Sequence, residues 1–287
     1  VDRLDSRVAF ITGGASGIGL ALARRCAREG MRVAVADVEA PALDRAAAEL
    51  REHGDAVLTL AVDVTIRDDF QQALTRTVEA FGAVNLLCNN AGVNAAGPVE
   101  SLSFRDWDWV LGVNLGGVVN GVVTFLPELL RHAGAAHIVN TASVGGLLGM
   151  AGLAPYNASK FAVVGLSEAL RADLAGRGVG VSVLCPGVVR TNLASSERNR
   201  PEALRDAQGT PPGAVGDGDD PMSGGMDPED VAAAVIDAVR ENRFFVCTHG
   251  EFAPLVEARN EVLLKAFPAQ ASEEAMAFAR SLVPDLG

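Results

Sequence analysis

The chain holds a single tyrosine, Tyr156, and it stands four residues ahead of Lys160 in the run Pro155-Tyr156-Asn157-Ala158-Ser159-Lys160. On a helix that spacing brings both side chains to one face. A phenol titrates near ~10, so it moves protons poorly at neutral pH unless a cation beside it favours the phenolate. Lys160 is the cation so placed. Tyr-x-x-x-Lys also arises on any amphipathic helix, so the meaning of the pair depends on what the chain arranges around it.

A second constellation lies near the N-terminus. Directly after the apolar run 8–12 comes Thr12-Gly13-Gly14-Ala15-Ser16-Gly17-Ile18-Gly19, followed by the helical stretch 20–29. Glycines let the backbone turn tightly and approach a pyrophosphate, whose charge is favoured by the free N–H groups at a helix start. Gly13, Ser16, Gly17, Ile18 and Gly19 are the candidate phosphate contacts. Asp37 closes the second strand candidate, 18 residues beyond Gly19, where a carboxylate would accept hydrogen bonds from an adenosine ribose. The same carboxylate repels a 2′-phosphate, by ~4 kcal/mol per charge pair at ~4 Å and an effective dielectric of ~20. Neither Ser16 nor Val38 supplies a compensating cation. The expected cofactor is therefore NAD rather than NADP.

These residues need a scaffold, and the pattern of the chain predicts one. Runs 8–12, 32–37, 56–64, 85–89, 136–142, 179–185 and 243–248 are rich in Val, Ile, Leu and Ala and are separated by helical stretches. Strands apolar throughout and alternating with helices indicate a parallel sheet covered on both faces, a doubly wound α/β Rossmann-type fold of about seven strands. Gly30, Gly54 and Gly82 are placed as helix stops, and Pro41 and Pro228 as first-turn residues. Segment 195–227, rich in Gly, Pro, Asp and Arg, breaks the rhythm and reads as a mobile lid or a disordered insertion. Residues 251–287 read as a C-terminal extension of one or two amphipathic helices. The whole, 1–287, is expected to be one domain.

Composition narrows the function classes. A net charge of −12 repels phosphate backbones, so no nucleic-acid partner is expected. Apolar runs end well short of the ~18 residues a membrane span needs, and the charged first residues lack a signal-peptide core, so neither a membrane nor secretion is expected. Cys26, Cys88, Cys185 and Cys247 lie far apart among apolar residues and read as buried free thiols of a reducing, cytoplasmic compartment. His53, His132, His137 and His249 show no ligand spacing, so no metal is expected. His137 reads as structural, and Trp107 and Trp109 as packing residues of one long helix.

Together the motifs resemble the short-chain dehydrogenase/reductase superfamily, in its compact single-domain form, over residues 7 to about 192. Thr12-Gly13-x-x-x-Gly17-x-Gly19 resembles its glycine turn, Asp63-Val64 its adenine contact, and Asn89-Asn90-Ala91-Gly92 the segment supporting sheet and cofactor. Asn114, Ser143, Tyr156 and Lys160 follow the order of its catalytic tetrad, and Pro186-Gly187-Val188-Val189-Arg190-Thr191 looks like its nicotinamide loop. The resemblance implies that Tyr156 is the base in oxidation and the acid in reduction, as removal of a carbinol hydrogen requires. It implies that Lys160 lowers the Tyr156 pKa and binds the nicotinamide ribose, Ser143 holds the substrate oxygen, and Asn114 fixes a water behind Lys160. Val189 and Thr191 would hold the carboxamide; Asn90, Ala91 and Gly92 would line the cofactor.

The residues expected near the reacting carbon are Val93, Asn94, the run 144–148, Pro155, Gly187, Val188 and Leu193. They are small or apolar and bring no Arg or Lys to clamp a charged substrate, so a neutral hydrophobic alcohol or ketone is expected. Within the superfamily, 91–94 and 112–118 look most like enzymes for bulky aryl or alicyclic secondary alcohols, including aryl-ether Cα-dehydrogenases. Two other readings share the motifs: an extended-type epimerase or dehydratase, whose turn is T-G-x-x-G-x-x-G, and a non-catalytic dinucleotide sensor. The resemblance also implies a homodimer or homotetramer.

Overall fold

The apolar runs form seven strands: β1 (Val8–Thr12), β2 (Arg32–Asp37), β3 (Val57–Ala61), β4 (Leu86–Asn89), β5 (Ala136–Thr141), β6 (Val179–Cys185) and β7 (Phe245–Cys247). The structure is a computed structural model that describes residues 3–53, 56–205, 222–268 and 272–282. All strand pairs are parallel, in the order β3-β2-β1-β4-β5-β6-β7. The expected doubly wound sheet is borne out. The chain winds outward in opposite directions from β1 and β4, so a crevice opens at the C-terminal ends of these two neighbours. The third strand is shorter than expected because the chain turns at Asp63, whose carboxylate accepts from the Thr65 N–H and hydroxyl.

Alternation along the strands sorts side chains onto two helix layers. Ala9, Ile11, Val33 and Val35 face α1 (Gly17–Arg28), α2 (Ala40–Arg51) and α7 (Pro228–Glu241). Phe10, Ala34 and Ala36 face α3 (Arg67–Phe81), α5 (Gly117–Arg131) and α6 (Ala154–Asp173). Phe10 and Phe125 stack with centroids 4.4 Å apart, and Phe70 meets Phe125 edge-on. Each such side chain, fully buried, stabilises the fold by about 1.5–3 kcal/mol. Helix punctuation follows expectation: Gly30 and Gly82 adopt left-handed φ of 77° and 83°, and Pro41 and Pro228 sit in first turns. Gly54 lies outside the described residues.

α4 (Phe104–Leu111) starts on a capping box between Ser103 and Asp106 and runs through a π-helical turn, Gly112–Gly116, into α5. The continuous stretch Phe104–Arg131 is long and apolar enough to cross a bilayer, contrary to the expectation from run lengths. Val118, Val122, Phe125 and Leu129 instead bury one side of it against the sheet, as in a core helix. Trp109 is buried in a small cluster with Val93 and Val110.

Three thiols are buried as expected, but Cys247 on the edge strand is exposed. His137 is buried on β5 with its Nε2 2.8 Å from the Ser182 hydroxyl, and burial pushes its pKa down to about 3. Its reading as a structural residue agrees with this. The C-terminal extension contains α8 (Ala253–Lys265) and α9 (Glu273–Leu282). Their apolar residues Val262, Leu264 and Phe278 are exposed, as is Phe267 just after α8, and the Arg259 guanidinium lies 5.4 Å from the Phe161 ring centre on α6.

Candidate active site

The crevice beyond β1 and β4 is a cavity of about 340 Å³ that joins the glycine turn to the Tyr-Lys helix. At one end, Gly13 and Gly17 take left-handed φ of 60° and 51°. A Cβ on Gly17 would meet the Thr191 methyl at 2.9 Å, and one on Gly19 would meet the Gly13 carbonyl oxygen at 2.1 Å. Side chains at these positions would fill the cradle, which therefore fits a dinucleotide pyrophosphate approaching main chain. Ser16 precedes α1 in extended conformation and makes no side-chain cap, so its hydroxyl does not close off the helix start. Gly13, Ser16, Gly17 and Ile18 line the cavity, whereas Gly19 lies behind the turn as a packing residue.

Asn90 ties β4 to this turn. Its N–H donates to the Thr12 hydroxyl at 2.9 Å and its Nδ2 to the Thr12 carbonyl at 3.1 Å. Asp37 accepts from the Ala15 N–H and the Glu39 N–H, both at 3.1 Å, which aims the carboxylate across the turn. Burial raises its pKa, and those N–H donors oppose the rise. Asp63, Val64, Asn90, Ala91 and Gly92 all reach the cavity wall. Val189 and Thr191 reach it from the far side, with Val189 bridged to Met226 in a parallel pair.

At the other end, α6 presents Tyr156 and Lys160 one turn apart, with Lys160 Nζ 5.5 Å from the phenol ring centre. Nζ donates to the Thr141 carbonyl at 2.9 Å. Burial pushes Lys160 down to about 8 and raises Tyr156, the nearby Ser143 hydroxyl opposing the latter shift. Lys160 is placed one turn from the phenol as the expected role in setting the Tyr156 pKa requires. Ser143 Oγ accepts from the Gly145 N–H at 3.0 Å and faces the Pro186 carbonyl at 3.4 Å.

Asn114, in the π-helical turn, is wholly buried. Its Oδ1 accepts from the Val93 N–H, and its Nδ2 donates to the Val93 carbonyl and the Ser159 hydroxyl. Both amide hydrogens are thus engaged in joining the β4 loop to α6, and the side chain is a cross-link before it is a water ligand. Gly92 lies between this amide and Lys160: a Cβ there would sit 3.5 Å from Asn114 Oδ1 and 3.6 Å from Nζ.

The substrate end departs most from expectation. Of the residues foreseen there, Val93, Gly187 and Leu193 line the cavity, while the run 144–148, Pro155, Asn94 and Val188 do not. Trp109, Pro201, Leu204 and Met222 contribute apolar wall instead. Part of that wall comes from the segment read as mobile lid or disordered insertion. Its start is fixed: 3₁₀ turns at Asn192–Asn199 and Glu202–Leu204 form a strap pinned by polar side chains. Ser196 Oγ bonds the Asn94 backbone, and Arg198 Nη2 and Asn199 Nδ2 reach Glu39 Oε1 at 2.6 and 2.8 Å. Arg200 Nη2 pairs with Asp106 at 2.8 Å, both side chains 2% exposed, and its guanidinium covers Trp109 at 5.0 Å. Burial pushes Asp106 up, but the Ser103 N–H and hydroxyl and Arg200 outweigh it and hold the carboxyl low. Residues 206–221 lie outside the described residues.

Sequence reasoning also passed over His249. Its Nδ1 accepts from the Gly187 N–H at 2.9 Å, which fixes Nε2 as the protonated nitrogen facing the Val188 carbonyl at 2.9 Å. A Cβ on Gly187 would lie 2.7 Å from this imidazole. The only local hint was the glycine itself, since the partner is 62 residues away.

A Rossmann crevice with a Tyr-x-x-x-Lys helix at its mouth defines the class, and comparison with known proteins agrees. The family model described as short chain dehydrogenase matches residues 7–202, and the chain belongs to that family. It is 37% identical over 265 residues to the Cα-dehydrogenase of Sphingobium sp., spanning 90% of this chain and 85% of that protein. The expected likeness to a Cα-dehydrogenase is borne out over the chain as a whole. Identity to the meso-2,3-butanediol dehydrogenase of Serratia marcescens is 39%, over 71% of this chain and 78% of that one. A short-chain dehydrogenase/reductase from Burkholderia phymatum, solved in complex with NAD, superposes with a TM-score of 0.86 at 41% identity, covering 95% of this chain and 100% of that chain.

Proposed function

We propose that this chain is an NAD-dependent oxidoreductase interconverting a bulky, hydrophobic secondary alcohol and its ketone, with Tyr156 as base in oxidation and acid in reduction. The observation that carries the reading is continuity: one cavity runs from the glycine turn and Asp37 to Tyr156 and Lys160. The NAD complex of the Burkholderia phymatum relative and the name of the Sphingobium relative support it. NAD, when bound, supplies the ring that takes a hydride from the carbinol carbon or returns it to the ketone.

The chain's own residues do the rest. Gly13, Ser16, Gly17, Ile18 and Gly19 shape the pyrophosphate cradle, Asp37 accepts from ribose hydroxyls, and Asp63 and Val64 meet the adenine. Asn90, Ala91 and Gly92 form the wall, and Val189 and Thr191 orient the carboxamide. Ser143 holds the substrate oxygen, able to donate to a carbonyl or accept from an alcohol. Tyr156 then moves the hydroxyl proton, while Lys160 binds the nicotinamide ribose and Asn114 completes the path to solvent. An apolar wall of Val93, Trp109 and Leu204 favours an uncharged substrate.

On this reading the described residues form one domain, the described start of 195–227 covers the substrate, and α8 and α9 are an appended helical segment. The chain works in the cytoplasm as a homodimer or homotetramer, for which the exposed Phe104, Val119 and Val123 on the outer side of α4 and α5 offer a surface. Light scattering tests the assembly. The activity is tested by following reduced nicotinamide with NAD and a panel of aryl and alicyclic secondary alcohols. NADH binding without turnover of any alcohol or ketone would leave a dinucleotide sensor and sink the reading.

A further inference from the structure

The last turn of the sheet brings together two thiols that the proposed reaction does not use. β6 and β7 pair in parallel with Cys185 directly opposite Cys247. Such partners lie about 4.8 Å apart at Cα, inside the ~4.4–6.8 Å that a disulfide spans, and they project from the same face of the sheet. Their surroundings differ: β7 is the edge strand and Cys247 is exposed, whereas Cys185 is wholly buried.

We infer that Cys185 and Cys247 form a reversible thiol-oxidation site, in which a hydroperoxide reacts at exposed Cys247 and buried Cys185 closes a disulfide onto it. The asymmetry of the pair suits the two roles. The neighbouring Cys185 thiol brings Cys247 down to about 7 against the effect of burial. The Cys247 thiol opposite it, together with burial, pushes Cys185 up. Exposure makes Cys247 the sulfur that a peroxide can reach, and burial directly opposite it makes Cys185 the resolving thiol. The Cys247 sulfur attacks one peroxide oxygen, the O–O bond breaks, hydroxide leaves and a sulfenic acid forms. The Cys185 sulfur then attacks Cys247, the S–O bond breaks as the S–S bond forms, and the Cys185 proton departs with that oxygen as water. Two thiols become one disulfide and one hydrogen peroxide becomes two waters.

The link lies beside the cavity. Cys185 precedes Pro186, whose carbonyl accepts from the Val144 N–H at 2.9 Å and faces Ser143 Oγ. Cys247 precedes by two residues His249, which holds the Gly187–Val188 backbone. Drawing the two sulfurs into bonding distance displaces both supports of that loop, so oxidation lowers activity reversibly.

The full chain is treated with hydrogen peroxide and read by intact mass and peptide mapping. The expected result is a loss of two hydrogens, a Cys185–Cys247 cross-linked peptide, reversal by dithiothreitol, and parallel loss and recovery of turnover. Cys247→Ser keeps its basal turnover and resists peroxide. Cys185→Ala, should it fold, stops at a sulfenic acid trapped by dimedone on Cys247. A stable sulfinic acid on Cys247 with no cross-link, or a cross-link to another cysteine, overturns the inference. The mass readout stands independently of the proposed activity, so failure of one is distinguishable from failure of the other.

Discussion

The two ends of the cavity are built by different means. At the glycine turn, functional atoms are placed by main chain: strand ends, left-handed glycines and the Asp37 carboxylate held by two backbone N–H groups. At the substrate end, placement depends on long side chains from remote segments, with Arg198 reaching Glu39, Arg200 reaching Asp106 and His249 reaching Gly187. The first kind of order is as rigid as the sheet that carries it. The second rests on a handful of contacts that can be exchanged without disturbing the sheet, which is how one scaffold takes up new substrates.

Changing Tyr156 to Phe should have the largest effect, because it removes the acid–base group and leaves both kinds of scaffolding intact. Turnover should fall by about 10²–10⁴ while NADH affinity, measured by fluorescence titration, stays within a few-fold. The wild-type pH profile sharpens this point. Burial raises the Tyr156 pKa, so the base form is scarce at neutral pH; alcohol oxidation should climb with rising pH and ketone reduction should decline. An oxidation rate that is flat across the alkaline range would argue for another base.

Arg200→Met tests whether the strap is truly held by side chains. Removing one partner of a buried pair costs about 3–5 kcal/mol, to be read from the denaturant midpoint, and KM for the alcohol should rise with little change in NADH affinity. The opposite pattern, weakened NADH binding at unchanged alcohol KM, would erase the distinction between the two ends. Asp37→Ala acts on the main-chain end. Losing hydrogen bonds to a charged acceptor, about 1.5–3 kcal/mol, should lower kcat/KM with NAD and spare NADP, narrowing the preference. A wild type that prefers NADP would show the ribose site to be elsewhere.

The smallest expected effect is at His249. His249→Phe loses two hydrogen bonds to the loop, each about 0.5–1.5 kcal/mol, and should weaken NADH several-fold. Gln both accepts and donates, so His249→Gln should recover most of the loss. Equal defects in both variants would point to imidazole packing rather than the paired bonds.

This division also explains what could be read without coordinates. The seven strands, the glycine turn, Asp37 and the Tyr156–Lys160 pair are patterns of adjacent residues, in which spacing alone fixes geometry. The order at the start of the strap was not legible because Ser195 to Arg205 has no apolar period; it comes from an ion pair spanning 159 residues to Glu39 and from a guanidinium over Trp109. Cys247 was expected to be buried on the strength of its apolar neighbours, and an edge strand left it exposed. The burial of Tyr156 was out of reach for a related reason: spacing places the ammonium, but only packing says how dry the phenol is.

Glu39 sits two residues past Asp37 and is bonded by Arg198, whose cationic side chain holds the Glu39 carboxyl below its ordinary range. On the proposed reading this contact is a bolt across the adenosine half of the dinucleotide, drawn from the substrate half. Exchange of the oxidised and reduced dinucleotide then passes through opening of this contact, and the expected consequence is a departure step slowed by it. Both partners are partly open to solvent, so salt should loosen the bolt, the Debye length shrinking from about 10 Å at 0.1 M to about 3 Å at 1 M. A steady-state rate that rises with ionic strength, together with an unchanged single-turnover rate, is the kinetic signature of that arrangement.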